Sequence, residues 1–349
     1  MILCRIRCEG ALRTPRVHGA PCTLNNISSI EYLFDIHLAK LRDGTWPGWR
    51  HTMRSVLLSL VLLFACSSKS PGSQPPVFED IRLITWNIAW ATDQVNRIPS
   101  NTPFRRSDQD WASLSSFIRG LRGDIFALQE VDGVSAARRF LPMANFETVL
   151  TTPSDLNQTL RPILAARRGI EVRQMPDLAE IGKGGLRAGL DASVVTNGVV
   201  FRLLIVHLKA DCRNGEVPLH TPACRELREQ IPHIVAWIRE RRSDGTPYVI
   251  LGDFNRELNG PGDELWQQLN AADTLHLVSQ PTHDGCAVSG IRGRQPDGRP
   301  WPAIDHIILS SQAASWLIGE PQGHPLPNPD PGRPAYSDHC PLSLVLRPR

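Results

Sequence analysis

Five short segments carry Asn, Glu, His or Asp to the ends of apolar runs. They read Ile81-Arg-Leu-Ile-Thr-Trp-Asn87, Asp124-Ile-Phe-Ala-Leu-Gln-Glu130, Leu203-Leu-Ile-Val-His207, Tyr248-Val-Ile-Leu-Gly-Asp-Phe-Asn255 and Ile304-Asp305, the last answered downstream by Ser337-Asp338-His339. Carboxylate and amide oxygens hold hard divalent cations, while imidazoles move protons or donate to phosphate. Placed at the last position of a buried strand, such residues line a polar site along one edge of a core sheet. One such ending is an accident; five in one chain point to a shared active site.

The motifs resemble those of the endonuclease/exonuclease/phosphatase superfamily of metal-dependent phosphoesterases. The resemblance covers residues 80–348 and rests on Trp86-Asn87, Gln129-Glu130, the strand ending in His207, Gly252-Asp253-Phe254-Asn255, Ile304-Asp305-His306 and Ser337-Asp338-His339. Each motif alone is weak, and their strength lies in occurring together in the family's order. Cleaving a phosphodiester at neutral pH needs a hard cation, a base for water, and donors for the transition state. Glu130 is the leading ligand for Mg²⁺ or Mn²⁺, and the resemblance adds the Asn87 amide oxygen, with Asp338 towards the metal or its waters. His339 is the expected base, oriented by Asp305 as the family pattern implies. Whether it removes a proton or holds charge on the phosphate stays open at this stage. His207 would donate to a phosphoryl oxygen. Asp253 and Asn255 alternate in an extended stretch and would face the same way, with Phe254 turned into the core. The plain alternatives are a solvated Glu130 and a structural Asp–His pair.

The chain departs from the pattern in lacking a mid-chain tyrosine for the phosphate, since its tyrosines are Tyr32, Tyr248 and Tyr336. Arg187, in the glycine-rich stretch Gly184–Gly189, is the expected substitute. Lys209 and Arg213 flank the His207 strand and could line a substrate groove or simply face solvent.

These side chains need a scaffold. Val/Ile/Leu-rich strands are expected at 81–87, 124–129, 145–150, 161–166, 190–196, 200–208, 247–252, 303–309 and 341–347. Helices are expected near 108–120, 222–242 and 262–270, the first opened by Ser107, Asp108 and Asp110 and ended by Gly120 and Gly123. Several strands follow one another without a helix between them, which excludes pure βαβ winding. The expected class is α/β, a four-layer α/β/β/α sandwich of two packed mixed sheets with helices outside.

Charge bounds the partners. The formal charge is +3 over 349 residues, yet from Ser55 onward 30 bases face 31 acids. A domain with that balance is no duplex binder held by phosphate neutralisation alone, though an enzyme touching a few phosphates remains compatible. A phospholipid or sphingomyelin phosphodiesterase should expose apolar surface, and an inositol phosphate phosphatase should carry a dense Lys/Arg cluster. The loops at 91–105 and 211–221 are polar, and no dense basic cluster is evident. A catalytically inactive binding lipoprotein should lack a base or a metal carboxylate. The expected activity is therefore that of an exported, monomeric nuclease with a nucleic acid substrate. Endo or exo cleavage, and DNA or RNA, are not set by the sequence.

Export is read from Met53-Arg54-Ser-Val-Leu-Leu-Ser-Leu-Val-Leu-Leu-Phe-Ala-Cys66. A basic residue, an apolar run too short to span a bilayer, and small residues before a cysteine make a lipoprotein signal peptide at 53–66. Cys66 would carry the lipid and hold the protein at the bacterial envelope, at the outer membrane or periplasmic face. Residues 67–78 would be a flexible tether and 79–349 the catalytic domain. A signal peptide belongs at an N-terminus, so residues 1–52 are expected to be a non-native upstream extension. In an oxidising compartment Cys212 and Cys224 could staple their shared loop, and Cys286 and Cys340 could pair or stay as thiols.

Overall fold

The computed structural model describes residues 78–98, 100, 104–153, 160–214, 220–279, 303–327 and 336–349. These fall within one unit, Gln74–Arg349. The expectations for 1–52, for the signal segment with Cys66, for the tether up to residue 77 and for Cys286 lie outside the described residues.

Apolar alternation along the strands builds two six-stranded mixed sheets. The first contains β1 (Ile81–Ala91), β2 (Ile125–Val131), β3 (Phe146–Thr151), β4 (Arg161–Arg167), β11 (Leu317–Gly323) and β12 (Leu342–Leu346), in the order β11-β12-β1-β2-β4-β3. The second contains β5 (Glu171–Gln174), β6 (Leu190–Thr196), β7 (Val199–His207), β8 (Tyr248–Asp253), β9 (Leu275–Ser279) and β10 (Asp305–Ser310), in the order β5-β6-β7-β8-β10-β9. Successive side chains leave a strand on opposite faces, so Leu83 and Leu203 enter the core between the sheets while Ile84 and Leu204 face outward. Each fully buried Leu or Ile contributes about 1.5–3 kcal/mol relative to exposure.

Helices α1 (Asp108–Leu121) and α2 (Gly133–Phe140) cover the first sheet through Trp111, Leu114, Ile118 and Phe140. Helices α3 (Pro222–Asp244) and α4 (Glu264–Asn270) cover the second through Leu227, Ile234, Ile238 and Leu265. The result is the four-layer sandwich. Ser107 and Asp110 form a capping box at the start of α1. Its end differs from expectation. Gly120 stays inside the helix, and Arg122 takes the left-handed turn at φ 52°.

The parallel pairs are β1–β2 and β7–β8, at the middle of each sheet. Parallel neighbours need a long crossover, which α1 and α3 supply. Both pairs therefore run their C-terminal ends to one rim, where loops can gather functional groups.

Candidate active site

That rim collects the chemistry-bearing residues. In the second sheet, β-ladder register sets His207 beside Asp253 and Asp253 beside Asp305, a single row across three strands. Gly252, just before the row, has φ +143°, and a Cβ there would stand 2.0 Å from the carbonyl oxygen of Val206. Only glycine lets β7 and β8 approach that closely. In the first sheet Asn87 pairs with Gln129 and Ala91 with Val131, so three residues of β1 stand opposite Glu130 alone. This bulge turns Ala89, Trp90 and Glu130 into left-handed backbone, at φ 52°, 51° and 60°. Strain of this kind, of order 1–3 kcal/mol per residue, persists where surrounding contacts impose it.

The Glu130 carboxylate accepts from Asn87 Nδ2 at 3.2 Å and from the Trp90 N–H at 3.0 Å. Asn87 Nδ2 also donates to Asp253 Oδ2 at 3.0 Å, and Asn87 Oδ1 accepts from the Ala89 N–H at 3.0 Å. The amide thus turns its nitrogen, not the expected oxygen, towards the carboxylates, because two anionic oxygens meeting there require a donor. A half-turn about χ2 would exchange the two atoms.

His339 lies on the loop before β12. Its Nδ1 meets Asp305 Oδ2 at 2.7 Å, while Nε2 stands 3.7 Å from Asp253 Oδ2 and 3.9 Å from Asp338 Oδ1. Ser337 Oγ holds the loop by donating to the Asn87 carbonyl at 2.5 Å and accepting from the His339 N–H at 3.0 Å. Burial alone would lower the His339 pKa, but Asp305, Asp253 and Asp338 outweigh it and raise it above 6.5. The three carboxylates around the ring thus favour its protonated form.

His207 is the opposite case. Burial first, then Arg187 and His339, hold its pKa well below 6.5, so the imidazole is neutral. Its Nε2 lies 3.6 Å from Asp253 Oδ2 and 4.0 Å from Glu130 Oε1. Burial, with Asp305 adding to it, pushes the Asp253 carboxyl up against the opposing pull of His339, Asn87 and Asn255.

The structure brings Arg187 to the same place. Its guanidinium acts on Glu130, Asp253 and His207, and its buried Nε has no partner among the described residues. Lys209 is not brought in. Its ammonium turns to the Ala210 carbonyl at 3.3 Å, with Asp211 and Glu226 at 3.9 and 4.0 Å. Asn255 also departs from expectation. β8 ends at Asp253, Asn255 is left-handed at φ 52°, and its Nδ2 donates to the Leu208 carbonyl at 3.0 Å rather than outward. Phe254 is buried against the second sheet as expected. Cys212 and Cys224 are joined, with Cα atoms 4.9 Å apart. Arg256, which sequence reasoning missed, fastens that loop by donating to the Cys212 and Asn214 carbonyls at 3.1 and 2.7 Å while paired with Asp263 at 2.7 Å. Cys340 is buried.

The profile of the endonuclease/exonuclease/phosphatase family matches residues 84–339. The chain belongs to that family. Members of the endonuclease/exonuclease/phosphatase family are divalent-metal-dependent hydrolases acting on phosphoester bonds. A search of curated protein sequences gives no significant match. Among solved structures the chain is similar to an AP endonuclease from Leishmania major, at 14% identity and TM-score 0.52, covering 77% of this chain and 88% of that one. It is also similar to an endonuclease/exonuclease/phosphatase from Beutenbergia cavernae, at 17% and 0.51, covering 77% and 72%. A third is D. rerio TDP2 complexed with single-strand DNA product, at 15% and 0.50, covering 76% and 98%. At these identities the likeness speaks for the fold.

The residues fit a hard divalent cation. Glu130 Oε1 and Asp253 Oδ2 both lie within hydrogen-bond reach of one atom, Asn87 Nδ2, so two carboxylate oxygens converge on a point. Asp253, Asp305 and His339 also offer ligand atoms within 4.8 Å of one another. There, however, His339 Nδ1 and Asp305 Oδ2 already satisfy each other, which favours the Glu130 side for an ion that prefers oxygen.

Proposed function

We propose that this chain is an exported nuclease, tethered at the envelope by lipid on Cys66, that hydrolyses phosphodiester bonds of nucleic acid. The observation that carries the reading is the convergence of Glu130, Asp253, the His339–Asp305 dyad and Arg187 on one rim of the sandwich.

Glu130, Asp253 and Asn87, with Asp338 from the His339 loop, would hold Mg²⁺ or Mn²⁺. When bound, the cation neutralises phosphoryl oxygen and lowers the pKa of water. The chain's own groups do the rest. Asp305 fixes the His339 tautomer through Nδ1, leaving Nε2 for water or a phosphoryl oxygen. Neutral His207 contributes a donor without adding charge. Arg187 supplies the anion contact that a tyrosine would otherwise make, with a planar fork suited to phosphate. Asn255, whose Nδ2 donates to the Leu208 carbonyl, holds the end of β8, and its backbone N–H donates to Asp253 Oδ1 at 2.8 Å.

Nucleic acid is favoured over lipid by the surface. Among the described residues the exposed large apolar side chains are Val95 and Val200, too few for a bilayer-contacting face. The DNA product named for the D. rerio TDP2 complex supports the same substrate class. Export is supported by the sequence of 53–66 and by the Cys212–Cys224 bond, since disulfides persist in oxidising compartments.

The test uses the full chain with Mg²⁺, Mn²⁺ or EDTA against supercoiled plasmid, RNA, sphingomyelin and bis(p-nitrophenyl) phosphate. Plasmid or RNA cleavage that EDTA abolishes is the expected result. Activity confined to sphingomyelin would replace nuclease with lipid phosphodiesterase, and no activity with any metal would leave a binding lipoprotein.

A further inference from the structure

We infer that Arg106 is a positioning residue that fixes the cation end of the site relative to the His339 loop. The inference rests on the phosphodiesterase reading above. The three-residue bulge of β1 leaves Ile88, Ala89 and Trp90 without a regular ladder to β2. Buried backbone groups of this kind need partners elsewhere. Their N–H groups are partly met from the site itself, Ala89 by the Asn87 side chain and Trp90 by Glu130. Their carbonyls go to Arg106. Its Nη2 donates to Ile88 at 2.7 Å and Ala89 at 2.9 Å, and its Nη1 to Trp90 at 3.3 Å.

The same Nη2 donates to the Tyr336 carbonyl at 2.6 Å, at the start of the loop that carries His339. One guanidinium therefore grips both the left-handed turn beside Glu130 and the segment bearing His339, whose Tyr336 lies 230 positions from Arg106. It is buried and set over the rings of Phe104 and Trp111, at 5.7 and 5.2 Å from their centroids. Nothing in the catalytic scheme uses it. A planar fork can reach several carbonyls at once, whereas an ammonium of the same charge offers three donors from a single point. The function of Arg106 lies in that fork rather than in its charge.

The test compares wild-type full chain with R106K, R106A and, as a neighbouring exposed control, R105A. Amide hydrogen exchange is the first readout. In R106K and R106A, protection at 88–91 and at 336–340 is expected to fall together by at least tenfold, with the β7–β8 amides unchanged. Mn²⁺ affinity, measured by titration, is expected to weaken at least tenfold. With bis(p-nitrophenyl) phosphate, kcat is expected to fall at least thirtyfold while KM stays within threefold. R105A is expected to match wild type in all three. R106K behaving as wild type, exchange changes confined to 104–111, or an equal effect in R105A would each overturn the inference. A wild type that hydrolyses no phosphodiester would defeat the nuclease reading alone, because the joint loss of protection in the two segments is scored without substrate.

Discussion

Trp86 donates its indole N–H to the carbonyl of His339 at 2.7 Å across 253 positions of sequence. Trp86 is fully buried in β1, one residue before Asn87, so the strand that carries a proposed cation ligand also holds the backbone of the proposed proton carrier. The two ends of the site are set by one strand.

Trp86→Phe keeps an aromatic side chain, smaller than the indole, and removes the donor. The buried His339 carbonyl then loses its partner, a cost of about 1–3 kcal/mol. Urea unfolding should register that loss, and kcat should fall about tenfold with KM unchanged. Unchanged kcat at reduced stability would mean that the loop keeps its place without the indole.

Asp305→Asn replaces the acceptor on His339 Nδ1 by an amide and removes the nearest charge raising that imidazole's pKa. Phosphodiester hydrolysis should drop by about 10²–10⁴. In EDTA, the His339 imidazole followed by NMR should titrate at lower pH than in the wild type. An unmoved titration would show that the dyad does not govern the charge of the ring.

Glu130→Gln and Asp305→Asn separate the two possible cation positions. Titration with Mn²⁺ should show Glu130→Gln weakening binding at least tenfold and Asp305→Asn much less. The reverse order would place the ion in the Asp253–Asp305–His339 cluster.

His306 sets an acid limit on the fold. Burial drives its pKa from 6.5 to about 4, against the Arg256 carbonyl, Asp305 and Asp263, which raise it. Below pH 6.5 the unfolded chain takes up this proton and the folded chain does not until about pH 4. Stability is therefore full above 6.5 and falls through that window, by roughly 3 kcal/mol in all. In EDTA, the stability lost between pH 7 and 4.5 should be about 2 kcal/mol smaller in His306→Asn than in wild type. Equal losses would assign the acid sensitivity to other groups.

The proposed lipidation at Cys66 is checked on protein isolated from its native source. Mass spectrometry should find an N-terminal peptide starting at Cys66 with a lipid mass, and none from residues 1–50. Peptides from that region, or an unmodified Cys66, would remove the anchor.

The interior of this fold was open to sequence reasoning, and of its four edge strands only β3 was. Strands β5, β9 and β11 went unforeseen, and all three are edge strands. Glu171-Val-Arg-Gln174 is mostly solvated, and Leu317–Gly323 contains two glycines and a proline, so neither shows the apolar run that marks a central strand. Helix α2 was missed because eight residues beginning at Gly133 give barely two turns of periodicity. At the site, the polar residues bordering apolar runs pointed to Asn87, Glu130, His207, Asp253 and Asp305, although only His207 and Asp253 end their strands, Asp305 opens β10 and Asn87 lies inside β1. Asn255 was misplaced by assuming the strand continued, although asparagine is among the residues that most readily turn left-handed. Arg106 and Arg256 act on backbone carbonyls, and no pattern of residue types announces such a bond.

β12 closes the first sheet by inserting between β11 and β1, and the loop just ahead of it delivers Ser337, Asp338 and His339. A chain shortened ahead of residue 336 lacks both the β12 partner of β1 and the His339 half of the dyad. On the proposed mechanism such a shortened chain would hydrolyse no phosphodiester.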